Sequence, residues 1–204
     1  APATQISADF NHTCALLETG DLYCWGFSYA GEIGAGESQG NVPYPARVLG
    51  GQAWSLVDAG YILTCALTTA GEGHCWGRGG DGRLGTGEEL EGERVSSPLP
   101  LAGGHTFVSI SAAGSHACAL DAQGVAYCWG ANDQGQAGVA LDASEGCAHR
   151  LCISTPTPVD TDLRFVAIEA GGAGTSGFTC GITMEREVAC WGRREYLGSG
   201  RYLQ

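Results

Sequence analysis

Thr13-Cys14-Ala15-Leu16, a short gap, then Tyr23-Cys24-Trp25-Gly26: this stretch decides the reading, because it returns three times. Thr64-Cys65-Ala66-Leu67 leads to His74-Cys75-Trp76-Gly77, and Ala117-Cys118-Ala119-Leu120 to Tyr127-Cys128-Trp129-Gly130. Thr179-Cys180-Gly181-Ile182 leads to Ala189-Cys190-Trp191-Gly192. In every copy the two cysteines are ten positions apart. Setting Cys14 opposite Cys24 leaves a three-residue hairpin loop, Glu18-Thr19-Gly20. The third loop position calls for left-handed backbone, which glycine adopts without a Cβ penalty. Gly20, Gly71 and Gly124 stand there, and the fourth copy has Arg186. Counting outward from a hydrogen-bonded Leu17/Asp21 pair makes Cys14/Cys24 a non-hydrogen-bonded pair. That class brings side chains closest, within disulfide reach. Register, turn and spacing predict the disulfides Cys14–Cys24, Cys65–Cys75, Cys118–Cys128 and Cys180–Cys190. The rival, metal binding by each pair, favours gaps of about two to four residues between cysteines.

The remaining two cysteines, Cys147 and Cys152, sit in a long polar stretch and predict a fifth disulfide tying off that loop. A Cys/His metal site there would need further ligands, and none is adjacent. Ten cysteines in 204 residues, all pairable, imply an oxidising compartment. The expected location is therefore secreted or at the cell surface, extracellular or periplasmic. The net charge is −12, from 22 acidic and 10 basic residues, and the basic ones are all Arg. With no basic run, a nucleic-acid backbone or an anionic membrane is repelled. No apolar run approaches the ~20 residues that span a bilayer, so membrane insertion is not expected. The chain starts at Ala1 without a signal peptide, as a processed form would. Asn11-His12-Thr13 spells a glycosylation sequon, a short match that chance supplies often.

From Cys14 to Cys65 the period is 51, then 53 to Cys118 and 62 to Cys180. Such periods point to propellers or solenoids. Each unit opens on an apolar lead-in such as Val57-Asp58-Ala59-Gly60 and continues through the hairpin to a glycine loop such as Gly31-Glu32-Ile33-Gly34-Ala35-Gly36. It closes on a proline-marked segment: Pro43 to Val48, Pro98 to Leu101, Pro156 to Val159. Proline is tolerated on edge strands and excluded from central ones. The unit therefore reads as four short antiparallel strands with the edge strand last, and nothing reads as helical. The expected fold is an all-β propeller of four-stranded antiparallel blades with disulfide-stapled hairpins. It forms a single repeat domain over 1–204, with repeats at about 6–56, 57–109, 110–167 and 168–204.

This pattern of His-Thr-Cys-Ala-Leu, Gly, Tyr-Cys-Trp-Gly and Gly-x-x-Gly-x-Gly resembles the regulator of chromosome condensation repeat, in four copies from about Ile6 to Gly200. The resemblance implies a propeller with one four-stranded blade per repeat. The cysteine-bearing version looks like the secreted or cell-surface branch of that family. Nuclear members act on a small GTPase and bind chromatin. This chain departs from them in charge, cysteines and the want of a basic tail, so that activity is not carried over. Family rings usually close with about seven blades, whereas four repeats stand here. The fourth stops short of its proline-marked segment. Residues Ala1 to Ile6 are expected to supply the missing strand, either within the chain or to a neighbouring molecule. That gives a possible route to self-association through the terminal segments.

For catalysis the sequence offers little. His12 and His116 occupy a position that elsewhere accepts Leu63 and Phe178, so they read as packing residues. No Gly-x-Ser-x-Gly elbow or His-Glu-x-x-His pair occurs, and the glycine loops lack the Lys of a phosphate cradle. The four repeat tryptophans read as core, with a ring of contacts on one propeller face as the rival. The expected function is a non-catalytic protein-binding module with no cofactor and no metal, its protein partner unidentified. The alternatives are a secreted inhibitor of an extracellular hydrolase and a self-assembling structural subunit. The loops that differ most between copies are the candidate contact surface: Glu88, Glu89 and Glu91 in the second repeat, and Asn132, Asp133, His149 and Arg150 in the third.

Overall fold

The computed structural model describes residues 1–36, 40–88, 90–147, 150–172, 176–197 and 201–202. Blade 1 comprises β1 (Ala3–Asp9), β2 (His12–Leu17), β3 (Leu22–Ser28) and β4 (Gly40–Arg47), hydrogen-bonded in that order. Blade 2 repeats this with β5 (Trp54–Ala59), β6 (Leu63–Thr68), β7 (Gly73–Arg78) and β8 (Arg94–Pro100). Blade 3 has β9 (Ser109–Ala112), β10 (His116–Leu120), β11 (Ala126–Ala131), β12 (Glu145–Cys147) and β13 (Arg150–Pro158). Its sheet order is β9-β10-β11-β13-β12. Blade 4 has β14 (Phe165–Gly171), β15 (Phe178–Thr183), β16 (Val188–Gly192) and β17 (Arg201–Tyr202). Among the described residues no α-helix occurs, only 3-10 turns such as Leu141–Ala143.

The hairpins form as their sequence dictates. Cys14 pairs with Cys24, Cys65 with Cys75, Cys118 with Cys128 and Cys180 with Cys190. Their Cα atoms lie 4.1–4.2 Å apart, the close class of antiparallel pair, and each is a disulfide. Leu17 N–H donates to Asp21 O at 2.9 Å, and Gly20 has φ +79°. Arg186 adopts the same left-handed backbone, φ +67°, so register and staple impose the turn even without glycine. The Trp-Gly pair has its own cause. At Gly26, with φ +115°, a Cβ would come 2.5 Å from Asn11 O, and β3 bulges there against β4 between Cys24 and Gly26.

Blades pack in chain order: β5 lies against β1 and β2, β9 against β5 and β6, and β14 against β9 and β10. Each junction buries the disulfide and leucines of one hairpin against the tryptophan of the next. Cys14, Leu16, Leu22 and Cys24 join Trp76, for example, in one apolar cluster. The inner strands are also laced by side chains. Ala59 N–H donates to Ser7 Oγ at 3.0 Å, Ala112 N–H to Asp58 Oδ2 at 2.8 Å, and Ala170 N–H to Ser111 Oγ at 3.0 Å.

One expectation is corrected. The N-terminal residues do not complete blade 4. Ala3 to Asp9 form the inner strand of their own blade, and Pro2 O accepts the Glu18 N–H at 3.0 Å. Pairing with β2 is local and satisfies that edge at once. The edge of β16 is met instead by β17, in parallel, through Ala189/Arg201 and Cys190/Tyr202. The fifth disulfide forms as expected between Cys147 and Cys152, joining β12 to β13 at the outer edge of the blade 3 sheet.

Candidate protein-contact face

In an antiparallel blade the turn between the first two strands and the loop between the last two leave at the same end. Here that end carries the glycine loops, and the three loops of blades 1 to 3 are braced from within. Glu32, Arg83 and Gln136 occupy one loop position and are all buried. Glu32 Oε2 accepts the Ala30 N–H at 2.8 Å, Arg83 Nε donates to Gly80 O at 3.0 Å, and Gln136 Oε1 accepts the Gln134 N–H at 2.8 Å. Long polar side chains thus cap their own loops, and the backbone carbonyls are left to the next blade. Trp76 Nε1 donates to Glu32 O at 2.8 Å and Trp129 Nε1 to Arg83 O at 3.1 Å.

His12 and His116 serve the same junctions. Thr64 Oγ1 donates to Glu32 O at 2.8 Å, so the proton between His12 Nε2 and Thr64 Oγ1, 2.7 Å apart, comes from the imidazole. His116, Thr179 and Gln136 O repeat the relay at 2.9 Å and 2.9 Å. Burial holds both imidazoles down at about 4, so they are neutral.

The predicted contact residues divide. Glu88 and Glu91 are exposed on the loop of blade 2. Asp133 and Arg150 meet in a charged chain across blades 2 and 3. Arg83 Nη2 lies 2.6 Å from Asp81 Oδ2, Arg150 Nε 3.5 Å from Asp81 Oδ1, and Arg150 Nη1 3.7 Å from Asp133 Oδ1. Asn132 is a correction. It is fully buried, donates to Val139 O at 2.9 Å and accepts the Ala137 N–H at 3.0 Å, so its side chain shapes the loop rather than lying on the surface. Glu89 and His149 lie outside the described residues.

The aromatic surface also differs from the expected rival reading. Trp76, Trp129 and Trp191 are at most 2 % exposed and core, whereas Trp25 of the first blade is only half-buried, which corrects the reading of all four as core; they form no ring of contacts on one face. Phe10 (70 % exposed), Phe27 (42 %) and Tyr29 (54 %), all at the loop end of blade 1, present the aromatic surface instead. Phe10 packs on Tyr61, with ring centroids 4.5 Å apart, and the Arg94 guanidinium stacks over Tyr29 at 4.7 Å. A signal for them existed in the repeat. Phe27 matches Arg78 and Ala131, and Tyr29 matches Gly80 and Asp133, so neither position repeats an aromatic residue.

The regulator of chromosome condensation (RCC1) repeat is matched at 3–32, 107–136 and 71–120. The chain belongs to the RCC1 repeat family. Among curated relatives it is 29 % identical over 189 residues to the ultraviolet-B receptor UVR8 of Arabidopsis thaliana, covering 92 % of this chain and 40 % of that one. It is 30 % identical to protein pim1 of Schizosaccharomyces pombe, covering 96 % of this chain and 36 % of that one. The chain therefore spans less than half the length of these relatives. The RCC1 fold is seen directly in yeast RCC1 (Prp20), solved with Kap60. That structure matches at a TM-score of 0.80 and 21 % identity, over 93 % of this chain and 43 % of that one. The ectodomain of the Physcomitrella patens receptor kinase CR4 matches at 0.57 and 21 % identity, over 94 % and 41 %.

Proposed function

We propose that this chain is a non-catalytic protein-binding propeller module that works outside the reducing cytosol, secreted or displayed at a surface. The observation that carries the reading is the loop end of blades 1 and 2. Exposed Phe10, Phe27 and Tyr29 share that end with exposed Glu88, Glu91 and Glu93. Aromatic anchors beside a polar, charged rim are the composition of protein contact sites. With a net charge of −12, the face favours a partner with a basic surface. Five disulfides with no free cysteine support the compartment, and the same fold serves as a receptor-kinase ectodomain.

The test is affinity capture from extracellular fluid with the wild-type chain and with a Phe10→Ala, Phe27→Ala, Tyr29→Ala triple variant. These surface positions change stability by no more than about 0.5 kcal/mol each. Loss of a captured protein on the triple variant, at unchanged Tm, supports this face. Equal capture by both chains removes it.

A further inference from the structure

In blades 1 to 3 the residue after the glycine of the Trp-Gly pair stands opposite one residue of the outer strand. Phe27 faces Asn41 in blade 1 and Ala131 faces Cys152 in blade 3, but in blade 2 Arg78 faces Arg94. Gly79 N–H donates to Glu93 O at 2.9 Å, so 79/93 is a hydrogen-bonded pair. Arg78/Arg94, next to it, is then of the non-hydrogen-bonded class, whose side chains come closest on one face of the sheet. Like charges directly opposite one another destabilise a sheet. The repeat does not demand them, since both neighbouring blades are uncharged at this pair.

The molecule does not relieve this repulsion from within. Both arginines are exposed. Among the described residues no carboxylate forms an ion pair with either, although Glu88, Glu91 and Glu93 lie on the loop that leads into Arg94. The neighbouring arginines are different. Arg83 holds Asp81, and Arg150 reaches Asp81 and Asp133. The Arg94 guanidinium instead stacks over the Tyr29 ring at 4.7 Å, which orients its plane from blade 1 without neutralising its charge. The pair sits at the junction of blades 1 and 2, where both four-stranded sheets are in place.

We infer that Arg78 and Arg94 form an anion site, and that its ligand is the carboxylate of an Asp or Glu side chain on a protein partner. A guanidinium fork matches a carboxylate through two parallel N–H···O bonds. A carboxylate seated at the pair also removes the repulsion that the free chain carries. With a net charge of −12 a polyanion is repelled, whereas one carboxylate on an otherwise basic surface is not. The inference rests on the reading of this end as a contact face and deepens it. The partner surface is mixed, basic opposite the acidic loop and acidic opposite Arg78 and Arg94. A pattern of both signs fixes the orientation of docking.

The probe is glutamate capped at both ends, added to the full, oxidised chain at constant ionic strength, with capped glutamine as the neutral control. The side-chain Nε–H resonances of Arg78 and Arg94 should shift together and saturate, with half-saturation on the order of tens of millimolar, the strength of one charge-assisted contact. Capped glutamine should shift neither, and Arg78→Gln should abolish the saturable shift at Arg94. No saturable shift, an equal response at exposed Arg164, or an equal effect of capped glutamine overturns the site. Tighter binding of a sulfated disaccharide overturns the carboxylate. These resonances are read with no partner present, so they separate failure of the arginine pair from failure of the contact face. Where the face does capture a protein, a chain carrying Arg78→Gln and Arg94→Gln should bind it roughly tenfold more weakly, and equal capture overturns the pairing with a partner carboxylate.

Discussion

At the first and third junctions a histidine reaches across to a threonine, whereas at the second a leucine meets an alanine. His12 and Thr64, and likewise His116 and Thr179, pass a proton chain to a glycine-loop carbonyl. Leu63 and Ala117 hold the same two positions inside one apolar cluster. Between repeats the polar pair is installed whole or removed whole. A lone histidine or a lone threonine in a dry junction would leave a buried donor or acceptor unmatched, which costs more than the pair contributes. Where the relay is absent, the loop carbonyl of Arg83 still receives Trp129, and the Arg83 guanidinium donates to Gly114 O at 2.9 Å. The junction is thereby satisfied by a different route.

Acid breaks the comparison most strongly. Both relay imidazoles sit at about 4 in the folded chain against 6.5 when free. The unfolded chain therefore takes up protons first as pH falls below 6.5. The histidines' contribution is complete above that value and is lost progressively toward 4. From pH 7 to pH 5 the two together should cost on the order of 4 kcal/mol. Asp58, whose carboxyl burial pushes up, opposes part of this. Denaturant titrations at pH 7, 6 and 5 measure it. A chain with both relays replaced by Leu and Ala should lose most of the slope, and an unchanged slope would show that other groups carry it.

A lone histidine at the second junction is the next largest effect. Leu63→His should cost about 3 kcal/mol, through an unpartnered imidazole where a leucine packed. Adding Ala117→Thr should recover a substantial part, and calorimetric Tm values of the single and double variants decide whether the pair rule holds. Removing one partner of an existing relay is milder. Thr179→Ala should cost roughly 1–2 kcal/mol, since it orphans both His116 Nε2 and Gln136 O. The smallest effect is the paired exchange His12→Leu with Thr64→Ala. It copies the second junction and should cost less than the sum of its single changes, a coupling that a double-mutant cycle reads directly.

Much of this was legible in the chain. Cysteines ten apart around a glycine turn fix a hairpin register, and prolines at 45, 98 and 156 mark the outer strands. Both signals are local, set by backbone chemistry within one hairpin or one strand. What was not legible depends on contacts between distant residues. Asn132 sits in a polar, variable loop and reads as surface, but its amide closes that loop upon Val139 and Ala137. The two relays look like packing histidines in sequence, because the threonine that completes each lies 52 or 63 residues away. The exposed aromatics of blade 1 are apolar residues at strand ends, and only the comparison of repeats separates them from core. The expectation that Ala1 to Ile6 fill the open edge of blade 4 fails because a shortage at the far end of the chain counts for less than the nearest pairing partner, β2.

Every disulfide closes within a few residues of where it starts, at a separation of ten or five. None ties one blade to another. A protease that cuts the connection at 48–53, 101–108 or 159–164 therefore severs the molecule outright. The pieces stay together under native conditions through the buried junctions alone and separate in denaturant with no reducing agent present. Covalently, this cystine-rich chain is a row of independent beads.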